Sequence, residues 1–212
     1  TLIGHPLGHS MSPFIHERLF AMAGREACYT LTDIAPEHLE GKEPYLRSLQ
    51  GFNITIPHKM AIIPIVDELD ESAKRYNSVN CVANQNGKLI GYNTDCDGFT
   101  MSVKEYPMDG KVLLIGCGGV GRMIATEALR HGADLTIGII PQDKGLVEAF
   151  IQEAKQTMPE AKVTYAVTAD IHDKFDVIIN ASPVGMFPKV DFCPDIPYEL
   201  LTPNHLLYDL LY

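Results

Sequence analysis

Lys111-Val-Leu-Leu-Ile-Gly-Cys-Gly-Gly-Val-Gly121 reads as a strand that runs through a glycine turn into a helix. The apolar run Val112 to Ile115 has the length and continuity of a strand buried on both faces. Gly116 permits the tight turn, Gly118 lets backbone N–H groups approach a pyrophosphate, and Gly121 allows close packing of helix on strand. The helix that opens there presents its partial positive N-terminus to the phosphates. Glycine makes up 17 of 212 residues, so the G-x-G-x-x-G spacing is a weak signal by itself. The apolar strand before it and the amphipathic helix after it turn it into a dinucleotide-binding signature.

Downstream the alternation continues: strand 111–115, helix 120–131, strand 134–140, helix 143–157, then strands 163–167, 175–180 and 205–211. Strands separated by helices of that length form right-handed βαβ units and a parallel sheet, so residues 104–212 read as a Rossmann-like domain. At the end of its second strand, an acidic residue would bind the ribose 2′-OH of NAD and an arginine the 2′-phosphate of NADP. Leu135-Thr-Ile-Gly-Ile-Ile-Pro-Gln142 offers neither before Asp143 and Lys144, which leaves both cofactors open.

Upstream, Thr1-Leu-Ile reads as a strand already under way, so the first residues of the natural protein are expected to precede it. Phe14 to Ala23 reads as a helix with Ser12 as N-cap, Pro13 in the first helical position and Gly24 beyond the end. Gly51-Phe-Asn-Ile-Thr-Ile-Pro57 alternates like a strand, and Asp70 caps a further helix. Val79 to Ala83 and Lys88 to Tyr92 form a hairpin about the turn Asn84-Gln-Asn-Gly87. Gly98 to Tyr106 reads as a connecting helix. The fold class is α/β: an N-terminal α/β domain, 1–103, followed by the Rossmann-like parallel-sheet domain, 104–212.

The formal net charge of -10 and pI near 5.2 argue against nucleic acid or an anionic membrane surface as partner, because like charges oppose association. Five cysteines, an odd number without a CxxC pair, indicate neither a disulfide framework nor a zinc site and suit the cytoplasm. The eight histidines are scattered without ligand spacing, so no metal is expected. No apolar run reaches the roughly 20 residues that span a bilayer.

The first domain gathers polar residues at element ends: His9-Ser10-Met11-Ser12, Asn53 to Lys59, Asn80, and Asn93-Thr94-Asp95. Each has a plain structural reading, with Ser12 a cap, Lys59 a solvated cation, Asn80 a turn former and Asp95 a helix N-cap. Together and in order, they carry more. Gly4-His-Pro-Leu-Gly-His-Ser-Met-Ser-Pro13, Asn53-Ile-Thr-Ile-Pro-His-Lys59, Ser78-Val-Asn-Cys81, Asn93-Thr-Asp-Cys-Asp-Gly98, Gly116-Cys-Gly-Gly119 and Asn180-Ala-Ser-Pro-Val-Gly-Met186 resemble the shikimate dehydrogenase family over almost the whole chain.

The resemblance implies reversible, nicotinamide-dependent interconversion of 3-dehydroshikimate and shikimate on the route to aromatic amino acids, with the first domain as substrate domain. It implies Lys59 as acid/base residue with Asp95 as partner, Ser10 and Ser12 on the carboxylate, and Thr55, Asn80 and Asp95 on ring hydroxyls, with Tyr212 lining the pocket. It also implies Gly116, Gly118, Gly119, Val120 and Gly121 on the cofactor, and Asn180, Ala181, Ser182 and Met186 near its nicotinamide. The partners implied are the small-molecule substrate and NADP, in a cytoplasmic monomer or homodimer. The chemistry suits these residue types, since hydride addition to a ketone builds negative charge on oxygen that a proton donor must meet.

The sequence departs from the family at three places. Ile139-Ile140 stands where NADP-using members carry Asn-Arg, which keeps NAD in view; Cys81 and Ser78 replace threonine and alanine; and the chain stops at Tyr212, short of helices that supply a pocket glutamine. The competing readings are an NAD-dependent quinate/shikimate dehydrogenase and a catalytically poor paralogue that binds nucleotide as a sensor. Lys59 and Asp95 weigh against the second.

Overall fold

The structure, a computed structural model, describes residues 1–8, 10–186 and 189–211, and divides into two compact units, Thr1–Asp97 and Gly98–Tyr212. His9 and Tyr212 lie outside the described residues.

The first unit is built on strands β1 (Leu2–Gly4), β2 (Leu31–Asp33), β3 (Gly51–Ile54), β4 (Glu68–Leu69), β5 (Cys81–Gln85) and β6 (Lys88–Tyr92). Their order is β2-β1-β3-β5-β6-β4, with β5 antiparallel to both neighbours and the other pairs parallel. The hairpin explains the mixture: Asn86 and Gly87 at φ 56 and 90 reverse the chain in two residues, so β6 must return beside β5. Helices α1 (Ser12–Met22), α2 (Glu43–Ser48), α3 (His58–Ala61) and α4 (Glu71–Tyr76) complete the unit. Its core joins Ile3, Phe52, Ile54 and Val82 from the sheet to Leu46 of α2 and to Ile62, the residue after α3.

Helix α5 (Thr94–Val103) follows, and then the second sheet: β7 (Lys111–Ile115), β8 (Asp134–Ile139), β9 (Lys162–Val167), β10 (Val177–Asn180) and β11 (Leu206–Asp209). Their order, β11-β10-β7-β8-β9, is parallel throughout, as the strand–helix alternation requires. Helices α6 (Gly119–Arg130) and α7 (Lys144–Thr157) are the crossovers. Val112 to Leu114 are fully buried, and α6 buries Met123, Ile124, Ala125 and Ala128 on one face.

Several expected boundaries shift, each for a local reason. Ser12 is the first residue of α1 and not its cap; Met11 occupies the cap position without a side-chain bond, while Ser10 Oγ accepts the Ser12 N–H at 3.2 Å. The expected strand 51–57 ends at Ile54 because the Thr55 carbonyl accepts the His58 N–H and opens a turn. The connecting helix begins four residues early, at Thr94, and Asn93 rather than Asp95 caps it: Asn93 Oδ1 accepts the Asp95 N–H at 3.1 Å. Gly24 lies beyond α1 at φ +61, and Asp70 caps α4 through the Ser72 N–H at 2.8 Å, both as read from the sequence.

Candidate active site

In the first unit, α3 carries Lys59 and the first turn of α5 carries Asp95, 36 residues apart in sequence. The Lys59 ammonium donates to Asp95 Oδ2 at 2.6 Å. The side chains are 27% and 35% exposed, so a molecule in solution can reach them. The other carboxylate oxygen accepts the Asn80 amide at 2.6 Å. Asn80 is buried (8% exposed) and its Oδ1 accepts the Thr94 N–H at 2.9 Å, so one side chain ties the strand-edge loop to the start of α5. Asp95 thus has each oxygen held from a different element, at the positive end of a helix dipole. The Lys59 backbone is fixed as well, since its carbonyl accepts the Val79 N–H at 2.8 Å. Lys59, Asp95 and Asn80 are brought together as one cluster.

Thr55 lies one residue beyond β3, its N–H bonded to the Ile3 carbonyl at 2.9 Å. A Cβ on Gly4 would collide with its methyl group, so β1 approaches Thr55 that closely only as glycine. Ser10 and Ser12 meet each other across the turn into α1. The expected pocket-lining Tyr212 falls outside the described residues.

Three residues with no role assigned from sequence join this face. Tyr29 donates its hydroxyl to Asn53 Oδ1 at 2.7 Å, Asn53 Nδ2 donates to the Asn80 carbonyl at 3.4 Å, and His16 stacks on the Tyr29 ring at 3.8 Å. Asn53 had a signal, because it shares a strand face with Gly51 while Phe52 and Ile54 turn inward. Tyr29 stands in a stretch without periodicity and had none.

In the second unit, Gly116 takes φ +96 and a Cβ there would press within 3.2 Å of the Ala181 and Ser182 backbone. A Cβ at Gly121 would collide with the Gly116 carbonyl oxygen; this glycine admits the turn itself, and not only the strand, against α6. Over Gly118 and Gly119 there is nothing within 4 Å of a Cβ. That open backbone at the start of a twelve-residue helix is the shape a pyrophosphate needs, so the residues present fit a dinucleotide. Asn180 is buried, its Oδ1 accepting the Ser182 N–H and hydroxyl at 3.1 and 2.7 Å and its amide donating to Asp209 at 3.2 Å, which fixes the loop beside the turn. Ala181 donates its N–H to the Ile115 carbonyl at 2.9 Å, while Val120 and Met186 present apolar side chains to solvent. Burial pushes the Cys117 thiol up, so no thiolate opposes the phosphates.

A parallel sheet with an open glycine turn, in one chain with a lysine held by a carboxylate, defines a dinucleotide-dependent oxidoreductase. The family model for the shikimate dehydrogenase substrate binding domain matches residues 2–82. The shikimate dehydrogenase (NADP(+)) of Methanococcus maripaludis is 37% identical over 219 residues, covering 100% of this chain and 76% of the relative. A solved shikimate dehydrogenase in complex with NADP+ superposes with a TM-score of 0.88 at 33% identity, over 100% of this chain and 75% of that one. The shikimate 5-dehydrogenase of Listeria monocytogenes, solved with shikimate and NAD, gives 0.86 at 26%, over 100% and 77%. The chain belongs to the shikimate dehydrogenase family.

Proposed function

We propose that this protein reversibly reduces 3-dehydroshikimate to shikimate with NADPH, and that Lys59 moves the proton. The observation that carries the roles is the Lys59–Asp95 pair at 2.6 Å, partly open to solvent and tied to Asn80. NADPH supplies the hydride when bound, and NADP+ accepts it in the reverse direction. An ammonium has three donors, and Lys59 gives one to Asp95, which leaves two for a substrate oxygen. As hydride reaches the carbonyl carbon, charge grows on that oxygen; Nζ donates across and releases a proton to it. In the oxidative direction the neutral amine takes the hydroxyl proton back. Asp95 keeps Nζ on one bearing through both directions and has its second oxygen held by Asn80.

In this reading Asp95, Asn80 and Thr55 bind ring hydroxyls, and the Ser10 and Ser12 hydroxyls bind the carboxylate. Residues 1–103 serve the substrate and 104–212 the cofactor. Gly116, Gly118, Gly119, Val120 and Gly121 receive the pyrophosphate, while Asn180, Ala181, Ser182 and Met186 line the nicotinamide end. Five free cysteines suit a reducing cytoplasm, and among the described residues no helix is long and apolar enough to cross a membrane. A cytoplasmic monomer or homodimer is the working form, which light scattering checks.

The test is initial rate with shikimate and with quinate, each with NAD and NADP. Oxidation of shikimate with NADP is expected, and no oxidation in any of the four mixtures overturns the reading. NAD-only activity on both acids would assign the chain to the quinate/shikimate branch. Lys59→Ala should lower turnover at least ~10²-fold, with NADP affinity by titration unchanged. Near-normal turnover would remove Lys59 from the role.

A further inference from the structure

Gly98 closes the stretch Asn93-Thr-Asp-Cys-Asp-Gly98 and stands in the interior of α5, where a glycine is less favourable than alanine because it loses more backbone freedom on folding. The other glycines of the long helices have a reason within the chain or escape that cost. Gly121 could not carry a Cβ against the Gly116 carbonyl oxygen, while Gly119 and Gly145 are the first and second residues of α6 and α7, ahead of the helical hydrogen bonds. Gly98 has no such reason. Its backbone does not take the left-handed φ of Gly87 or Gly116, it is exposed, and among the described residues nothing lies within 4 Å of a Cβ built there. The chain itself would accept alanine.

What the missing side chain leaves open follows from the helix. Residues three apart share a helix face, so Gly98 stands one turn after Asp95, whose two oxygens accept from Lys59 and Asn80. Cys96, Phe99 and Val103 are buried and take the inward side of α5. The Cα–Cβ bond of a helical residue tilts toward the helix N-terminus, so any side chain at 98 would reach back over the turn that carries Asp95. A substrate oxygen that meets Lys59 brings the rest of its ring against that same turn. We propose that Gly98 is a specificity-determining residue, its bare backbone leaving room for the substrate ring to lie along α5 beside Asp95. The proposal rests on the placement of Asp95 at the ring hydroxyls.

Gly98→Ala adds one methyl and a better helix former, so its melting temperature should equal the parent's or exceed it by up to about 3 °C. Its KM for shikimate should nevertheless rise about 5- to 100-fold, the scale of one group too many in a filled site, with NADP affinity by titration within about twofold. Gly98→Leu, a helix former close to alanine with a larger side chain, should raise KM further and still fold. The two directions separate the proposal from a structural role, in which stability and activity would fall together. A parent-like KM in both variants would overturn it, as would NADP affinity that falls while KM for shikimate holds, or a melting temperature well below the parent's in Gly98→Ala. Asp95→Asn with an unchanged KM would overturn the placement beneath it, a result separable from Gly98→Ala failing while Asp95→Asn weakens shikimate binding.

Discussion

Asn93 and Asp95 divide the work at the start of α5. The helix needs an acceptor for its second N–H, and Asn93 Oδ1 supplies it at 3.1 Å. Asp95 is thereby released from capping, and both its oxygens go to Lys59 and Asn80. The sequence reading puts Asp95 at the cap, and the three-dimensional placement of Lys59 shows why the asparagine takes that place instead. Ile140 is the residue of consequence on the cofactor side. It follows β8, is 54% exposed, and stands where the general rule for this fold puts the group that reads the ribose 2′ position. Ile140→Arg should tighten NADP relative to NAD by roughly 10- to 100-fold, the worth of a charge-assisted hydrogen bond at about 1.5–3 kcal/mol. Titration with 2′,5′-ADP against 5′-AMP reads this without turnover, and an unchanged ratio would put the 2′-phosphate beyond the reach of this position.

At the scale of elements, periodic segments were legible and short ones were not. The apolar run of β7, the helix of α6 and the Asn-Gly hairpin carry their own signals. Strands β2 and β4, with three and two residues, and the single turn α3 are too short for any period to register. What holds such pieces is side chains from elsewhere. Arg47 on α2 donates to Asp67 Oδ2 and Oδ1 at 2.9 and 3.1 Å and to the Ile65 carbonyl at 3.2 Å, while Asp67 also accepts the Leu89 N–H from β6 at 2.7 Å. The guanidinium first, and then that N–H, hold the Asp67 carboxyl down at about 2. A carboxyl lowered on folding contributes stability that is present above its unfolded value, near 3.9, and is lost as pH falls through the folded one. Asp67→Asn should therefore unfold at lower urea than the parent at pH 7, and the two midpoints should converge as pH approaches 2. Parallel curves from pH 7 down to 2 would show that the pair contributes nothing.

At the scale of the whole molecule, each unit carries its own hydrophobic core. One centres on Ile3, Leu46 and Phe52, and the other includes Leu113, Ile171 and Phe175. Ile137 is fully buried in β8, and Ile137→Ala should cost about 2–5 kcal/mol through lost burial and the cavity left behind. Amide hydrogen exchange should report the loss mainly within residues 98–212; equal loss of protection across 1–97 would mean that the two cores unfold as one. By itself the sequence determined the second sheet and its cradle, because a strand, a glycine turn and a helix are specified by neighbours along the chain. It also marked Lys59, Asp95 and Asn80 as polar residues at element ends. Tertiary structure alone decided that β5 would enter the first sheet antiparallel to β3, that Lys59 would meet a carboxylate 36 residues away, and that the Tyr29 hydroxyl would meet Asn53. Those pairings join residues with no shared local pattern, and they form only when burial of the apolar faces brings distant stretches of chain together.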